Sequence, residues 1–423
     1  MHGLKHGSHE RMGTRAFIFL AVLMALAGLV KSASASTWRG DDLLSRFSLA
    51  PWKIGPFRIE PRIVLSDFGY DSNIYTQPNA VSDYNFTAGP QFDGFLKFGG
   101  KIILSFSESP RYVYYVHTAN ERTWNNYLNG SLSFLLNKFF IQLGAHWTDS
   151  RQRWDYEIDV RPRLYDTGYD ASILWQASRK TSFELAFKQF HYQYENLSND
   201  PYQIAKRLDR DESHFNFSVY DQLTARSQAF INFDYGNANF VSPDNPRDAV
   251  SYAGYGGFEF SPLGRIRGRI RLGYKLFHAL TAGISDFKGL VGDANISISL
   301  MRSFALRLTY HRDVQFSIWL DNPFFIEESA GAGISYYFLR RRFRLDYDLS
   351  QLRDEYPIPG AAAAASGSRQ DRVSMNTVGL FYRLGQDKGV AIGLRAGRYD
   401  RTINVYGWNT NRNFISLNLI YDF

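Results

Sequence analysis

The chain has 423 residues, 16% of them aromatic, with 34 Gly, 34 Phe, 27 Tyr and no Cys. A mean hydropathy of −0.31 excludes a bundle of membrane helices, and the lack of Cys excludes disulfides, thiolate metal sites and a Cys nucleophile. The formal charge of +7 includes Lys5, Arg11, Arg15 and Lys31 near the start, and no basic helix accompanies it, so nucleic-acid binding is not expected.

Arg11 and Arg15 precede the apolar run 16–30, and Ala33-Ser34-Ala35 offers small residues to a peptidase. That order predicts a secretory signal over residues 1–35, too short in its apolar part for the roughly 20 residues of a membrane helix. Residues 36–56, with Trp38, Pro51, Trp52 and Pro56, read as a periplasmic lead-in that either stays outside a lumen or enters one. Arg39-Gly40-Asp41 within it is taken as a coincidental tripeptide.

From residue 57 to residue 423, apolar and polar residues alternate in segments separated by turn residues, the pattern of strands. The expected spans are 57–68, 84–97, 101–117, 123–136, 138–149, 164–176, 181–194, 208–221 and 226–236. They continue with 249–261, 265–278, 287–300, 303–314, 326–338, 342–353, 372–384, 389–400 and 411–423. Tight turns, such as Gly99-Gly100 and Pro262-Leu263-Gly264, alternate with longer loops, such as 150–163 and 354–371. Short turns on one side and long loops on the other predict an all-β, antiparallel up-and-down transmembrane barrel of about 18 strands. Sixteen is the alternative if 101–122 divides differently. The run Ala361 to Ala365 reads as a mobile external loop tip.

On the segment 265–275, Arg265, Arg267, Arg269, Arg271 and Lys275 share one face, with Ile266, Ile270, Leu272 and Tyr274 on the other. The cations are assigned to the lumen, because an Arg facing mid-bilayer lipid costs about 2–4 kcal/mol. Arg307, Arg342, Arg344 and Arg395 follow the same alternation. One reading is a basic pore lining that attracts anions or anionic sugars. The other is a wall stiffened by Arg–carboxylate pairs with partners such as Asp293, Asp346 and Glu259. For the ladder at 265–271 the functional reading is preferred, since like charges in a row repel. Aromatics near strand ends, Tyr112, Tyr114, Tyr115, Trp147, Tyr192, Tyr194, Tyr336 and Tyr337 among them, are expected to form interfacial girdles. Trp154 and Tyr156, in a charged loop, are candidates for stacking sugar rings. No hydrolase, zinc-protease or phosphate-loop motif is present, so no enzymatic activity, metal or cofactor is expected.

The last segment places Leu417, Leu419, Tyr421 and Phe423 on one face and Ser416, Asn418 and Asp422 on the other. It is similar to the terminal strand by which Gram-negative outer-membrane barrels are recognised for insertion. The stretch 57–75, with Pro61 and then Tyr70-Asp71-Ser72-Asn73-Ile74-Tyr75, together with this ending resembles the putative beta-barrel porin (type 2) family. The resemblance implies an outer-membrane protein exporting an exopolysaccharide. The partners it implies are lipid, the barrel-assembly machinery, a periplasmic polysaccharide-export protein and the polysaccharide itself. The alternatives are a general or anion-preferring diffusion porin for small solutes, and a loop-plugged barrel acting as scaffold or receptor.

Overall fold

When apolar residues recur at every second position, the pleat of a strand sends all of them to one face. The computed structural model describes residues 38–151, 157, 160–196, 200, 202–243, 245, 247–281, 284, 286–319, 322–357, 368–385, 389–404 and 408–423. Its strands begin with β1 (Trp52–Ile54), β2 (Phe57–Asp71), β3 (Asp83–Phe98), β4 (Ile102–Glu108), β5 (Arg111–Tyr115), β6 (Thr123–Leu135) and β7 (Phe139–Arg151). There follow β8 (Arg163–Gln176), β9 (Thr181–Tyr194), β10 (Arg210–Thr224), β11 (Ser227–Phe240), β12 (Ala249–Phe260), β13 (Ile266–Ala279) and β14 (Phe287–Ser299). The last are β15 (Phe304–Phe316), β16 (Phe324–Phe338), β17 (Phe343–Glu355), β18 (Gln370–Arg383), β19 (Gly389–Ile403) and β20 (Trp408–Asp422). Among the described residues two α-helices, α1 (Trp38–Leu49) and α2 (Ile204–Leu208), and a 3-10 turn (Ala119–Glu121) accompany them.

Each strand pairs antiparallel with its neighbour, and β20 closes the sheet on β2, from Arg62 opposite Asp422 to Asp71 opposite Phe414. Closure matters because every unpaired backbone group in hydrocarbon costs several kcal/mol. β4 and β5 are halves of one strand, both lying between β3 and β6. Counted once, and with β1 set aside as a short addition to β2, they complete a closed antiparallel barrel of eighteen strands.

The unbroken strand expected over 101–117 is therefore corrected. Pro110 has no N–H for the ladder, so pairing stops at Ser109 and resumes at Arg111. The kink is accommodated by Gly89, where a Cβ would lie 1.9 Å from the Pro110 oxygen. A second irregularity is the bulge in β2 between Leu65 and Phe68, with Asp67 at φ 57°. It changes which alternate positions of β2 face inward.

The outward face is apolar. Leu272 is 59% exposed and Leu290 58%, a surface suited to lipid rather than water. Aromatic rings gather at both ends of that face. On the loop side Tyr70 meets Tyr84 at 5.3 Å and Tyr112 meets Trp124 at 5.0 Å. On the turn side Phe304, Tyr336, Phe338, Phe343 and Tyr382 form a continuous row, its outer pairs 4.7 Å apart. The girdle expectation thus fits Tyr112, Tyr114 and Tyr336. It fails for Tyr115, Tyr192 and Tyr194, which the register turns inward. There Arg161 donates to the Tyr115 hydroxyl at 2.6 Å, and the Arg210 guanidinium lies 4.2 Å over the Tyr192 ring.

Candidate functional site in the lumen

The register decides which charges meet. On β13 the odd positions face inward, where Arg271 stands opposite Asp293 and forms an ion pair with it. Lys275 donates to Asp313 at 2.6 Å, and Arg307 donates to Asp348 at 2.6 Å. Arg344 lies 2.9 Å from Asp346 and over the Phe381 ring, and Arg395 reaches the Thr377 hydroxyl at 3.4 Å. The row of cations on one face of β13 is present, and neighbouring strands supply carboxylates to Arg271 and Lys275, so the wall mixes signs at those two positions. Arg265 and Arg342 lie in the turns before β13 and β17, exposed, and Arg267 is exposed at the rim. Between Arg267 and Arg269, Gly268 adopts φ +114° and its missing Cβ would meet the Asn295 oxygen at 1.8 Å. The pairing with β14 runs through it without a shift, and only glycine adopts that backbone without strain.

Arg271 and Lys275 are held by carboxylates, whereas Arg269 is held by an aromatic ring. Its guanidinium lies 4.0 Å over the Phe230 ring, and its Nε is buried with no hydrogen-bond partner.

The lead-in segment supplies a second part of the site. Leu43, Leu44 and Phe47 fall at helical spacing on α1, and Pro51 ends the chain's ability to continue it. Leu43 and the following Ala50 are buried against Phe95 and Ile103, with Leu44, Phe47 and Leu135 around them. Burying one such leucine stabilises the docking by roughly 2 kcal/mol. Phe95, Ile103 and Leu135 lie near the short turns on inward positions, so α1 sits inside that end of the barrel.

At the start of α1 the Arg39 guanidinium forms a two-point ion pair with Glu184 of β9, the second contact being 3.1 Å. Tyr220 of β10 donates its hydroxyl to Glu184 at 2.7 Å and accepts from Arg39 at 3.3 Å. Burial lowers the pKa of Arg39, but the adjacent Glu184 carboxylate raises it further, so the net shift is upward and the guanidinium stays charged. Arg39, Gln142 and Tyr220 are shared by two cavities, one of about 340 Å³ toward the turns and one of about 360 Å³ deeper in the lumen. The Arg39–Glu184–Tyr220 cluster, a latch between α1 and the wall, therefore stands between the two cavities.

At the loop end, segments from nearly opposite walls meet. The Ser317 hydroxyl and the Ile318 N–H, between β15 and β16, donate to the Glu157 carboxylate at 2.6 and 2.9 Å. Arg207 donates to the Ile318 carbonyl at 3.0 Å, and Arg247 donates to that of Ser317. Ile318 is buried with Tyr194 and with Ile204 and Leu208 of α2. The wide barrel is narrowed at both ends.

Sequence reasoning missed Arg39, Glu184 and Tyr220 as a unit. The spacing of Leu43, Leu44 and Phe47 was available as a signal for α1, but nothing local connects Arg39 to a strand 145 residues away. Trp154 and Tyr156, the expected signal over 1–35 and the Ala361–Ala365 tip lie outside the described residues. In β20, Leu417, Leu419 and Tyr421 stand on the outward register, and the Phe423 ring meets Trp52 of β1 edge-on at 5.5 Å.

The family model described as "Putative beta-barrel porin 2" matches residues 178–423. No curated protein matches the chain. Similar solved structures include Pseudomonas aeruginosa OccK3 (OpdO), 13% identical over 86% of this chain and 95% of that one, with a TM-score of 0.45. Acinetobacter baumannii OccAB3 is 12% identical over 86% of this chain and 99% of its own, with a TM-score of 0.47. The siderophore receptor PirA from Acinetobacter baumannii is 7% identical over 86% and 80%, with a TM-score of 0.42. At these values the likeness describes barrel architecture alone.

Proposed function

The chain belongs to the "Putative beta-barrel porin 2" family, and from that premise we propose that this outer-membrane barrel is a diffusion channel for small polar solutes. The observation that carries the reading is the inward face of β13 to β18, lined by paired ions and hydroxyls while the outward face is apolar. Such a lumen holds water and admits polar solutes past fixed charges of both signs. Export of an exopolysaccharide rests on the resemblance of residues 57–75, and α1 and the loop contacts at Glu157 narrow the route a polymer would need. Small solutes fit that narrowing better.

The same two obstructions favour a second reading, a plugged barrel serving as scaffold or receptor. Planar-bilayer recording and liposome swelling distinguish them. The channel reading expects ionic current and swelling with a monosaccharide, and little or none with a long dextran. Absence of current both in the intact protein and after removal of residues 38–50 would leave the scaffold. Oligosaccharide entry as fast as monosaccharide entry would restore the polymer reading.

A further inference from the structure

We propose that the deeper cavity between α1 and β13 is a binding site for small carboxylates, at which the solute exchanges with Glu184 for the Arg39 guanidinium. The inference rests on the channel reading and adds a solute class to it. The cavity is lined by four cations, Arg39, Lys188, Arg269 and Arg271, against three carboxylates, Asp170, Glu184 and Asp293. Within that lining the cations exceed the carboxylates by one, in a narrow space where fixed charges act strongly. Glu259, opposite Arg269 on β12, lines the turn-side cavity instead and accepts from Gln228.

The spare cation is placed by geometry. Arg271 is engaged by Asp293 and Arg39 by Glu184, while Lys188 stands opposite Asp170 in the β8–β9 register. Arg269 is held instead by the face of Phe230, which packs on Tyr220 with ring centroids 5.7 Å apart. Tyr220 in turn bonds Glu184, so Arg269 and Arg39 flank one aromatic pair and one carboxylate. A carboxylate solute beside Arg269 presents the same two-oxygen edge that Glu184 presents to Arg39, and guanidinium binds that edge in a fork. Arg39 belongs to both cavities, and the one on the turn side adds Arg46, Arg179 and Lys180 against Asp42 and Glu259. An anion arriving there meets Arg39 first, displaces the Glu184 contact and passes to Arg269. Exchange at Arg39 also loosens the start of α1, so the permeant solute eases its own passage.

The test uses the full protein in planar bilayers, with reversal potentials across a potassium acetate gradient for wild type, Arg269→Gln, Arg39→Gln and Glu184→Gln. Both arginine variants are expected to lower the acetate-to-potassium permeability ratio by on the order of threefold, and Glu184→Gln to raise it by a similar factor. Glu184→Gln removes the internal competitor, which is why its sign is opposite. Glu184→Asp, with a shorter reach to Arg39, is expected to shift the ratio upward too and serves if Glu184→Gln does not insert. A latch with a structural role alone would move Arg39→Gln and Glu184→Gln in the same direction, because both release α1. That result, or an unchanged ratio in Arg269→Gln, overturns the site while leaving a conducting channel. A wild type without current would instead overturn the channel reading itself.

Discussion

At the scale of single residues, backbone geometry and paired charges carry unequal weight. Gly268 holds φ +114° with the Asn295 carbonyl where its side chain would be. Gly268→Ala is therefore expected to destabilise the barrel by about 1–3 kcal/mol, measured by urea unfolding in lipid vesicles. The Arg307–Asp348 pair is half open to lumen water, with side chains 51% and 35% exposed. Arg307→Ala should cost less than about 1 kcal/mol in the same assay, since solvent screens such a pair. A large loss there would show that the wall depends on its ion pairs for stability. The inward placement of Arg269, Arg271 and Lys275 was legible from alternation alone. Their partners were not, because Asp293 and Asp313 come from other strands, and register is set by turn geometry rather than by local sequence.

At the scale of elements, the strands and α1 differ in how they announce themselves. The eighteen barrel strands fall close to their expected spans because each has one face toward lipid and one toward water, which the chain must write at period two. The exception is the β4–β5 break, where Pro110 overrides the alternation around it. Helix α1 carries only Leu43, Leu44 and Phe47 as an apolar side, too little to show where it docks. Leu43→Asp is expected to release it from Phe95 and Ile103. Single-channel conductance should then rise toward the value reached by deletion of 38–50, with heat-resistant gel migration showing an intact barrel. Unchanged conductance would mean that α1 does not obstruct the path.

At the scale of the whole molecule, two faces of one sheet meet two solvents. Leu272 and Arg271 are neighbours in β13, yet one meets lipid and the other meets Asp293 across the lumen wall. Leu272→Arg is expected to cost about 2–4 kcal/mol and to lower the yield of folded barrel in vesicles. A neutral outcome would place that stretch of β13 outside the hydrocarbon. The loop end offers a parallel test: Glu157→Ala removes the acceptor of Ser317 and Ile318 and should raise conductance by freeing that segment from the opposite wall.

The sequence by itself determined the alternating strands, the inward turn of the β13 cations and a closed antiparallel barrel of about eighteen strands, because a membrane wall imposes its two environments residue by residue; the structure decided eighteen over sixteen. Only the tertiary structure decided that α1 enters the turn-side end, that Arg39 and Glu184 meet, and that loops from opposite walls join at Glu157. Those contacts form between segments far apart in the chain and follow from the curvature and register of the closed sheet. A periodic pattern encodes which way a side chain points, while what it finds there depends on the rest of the ring.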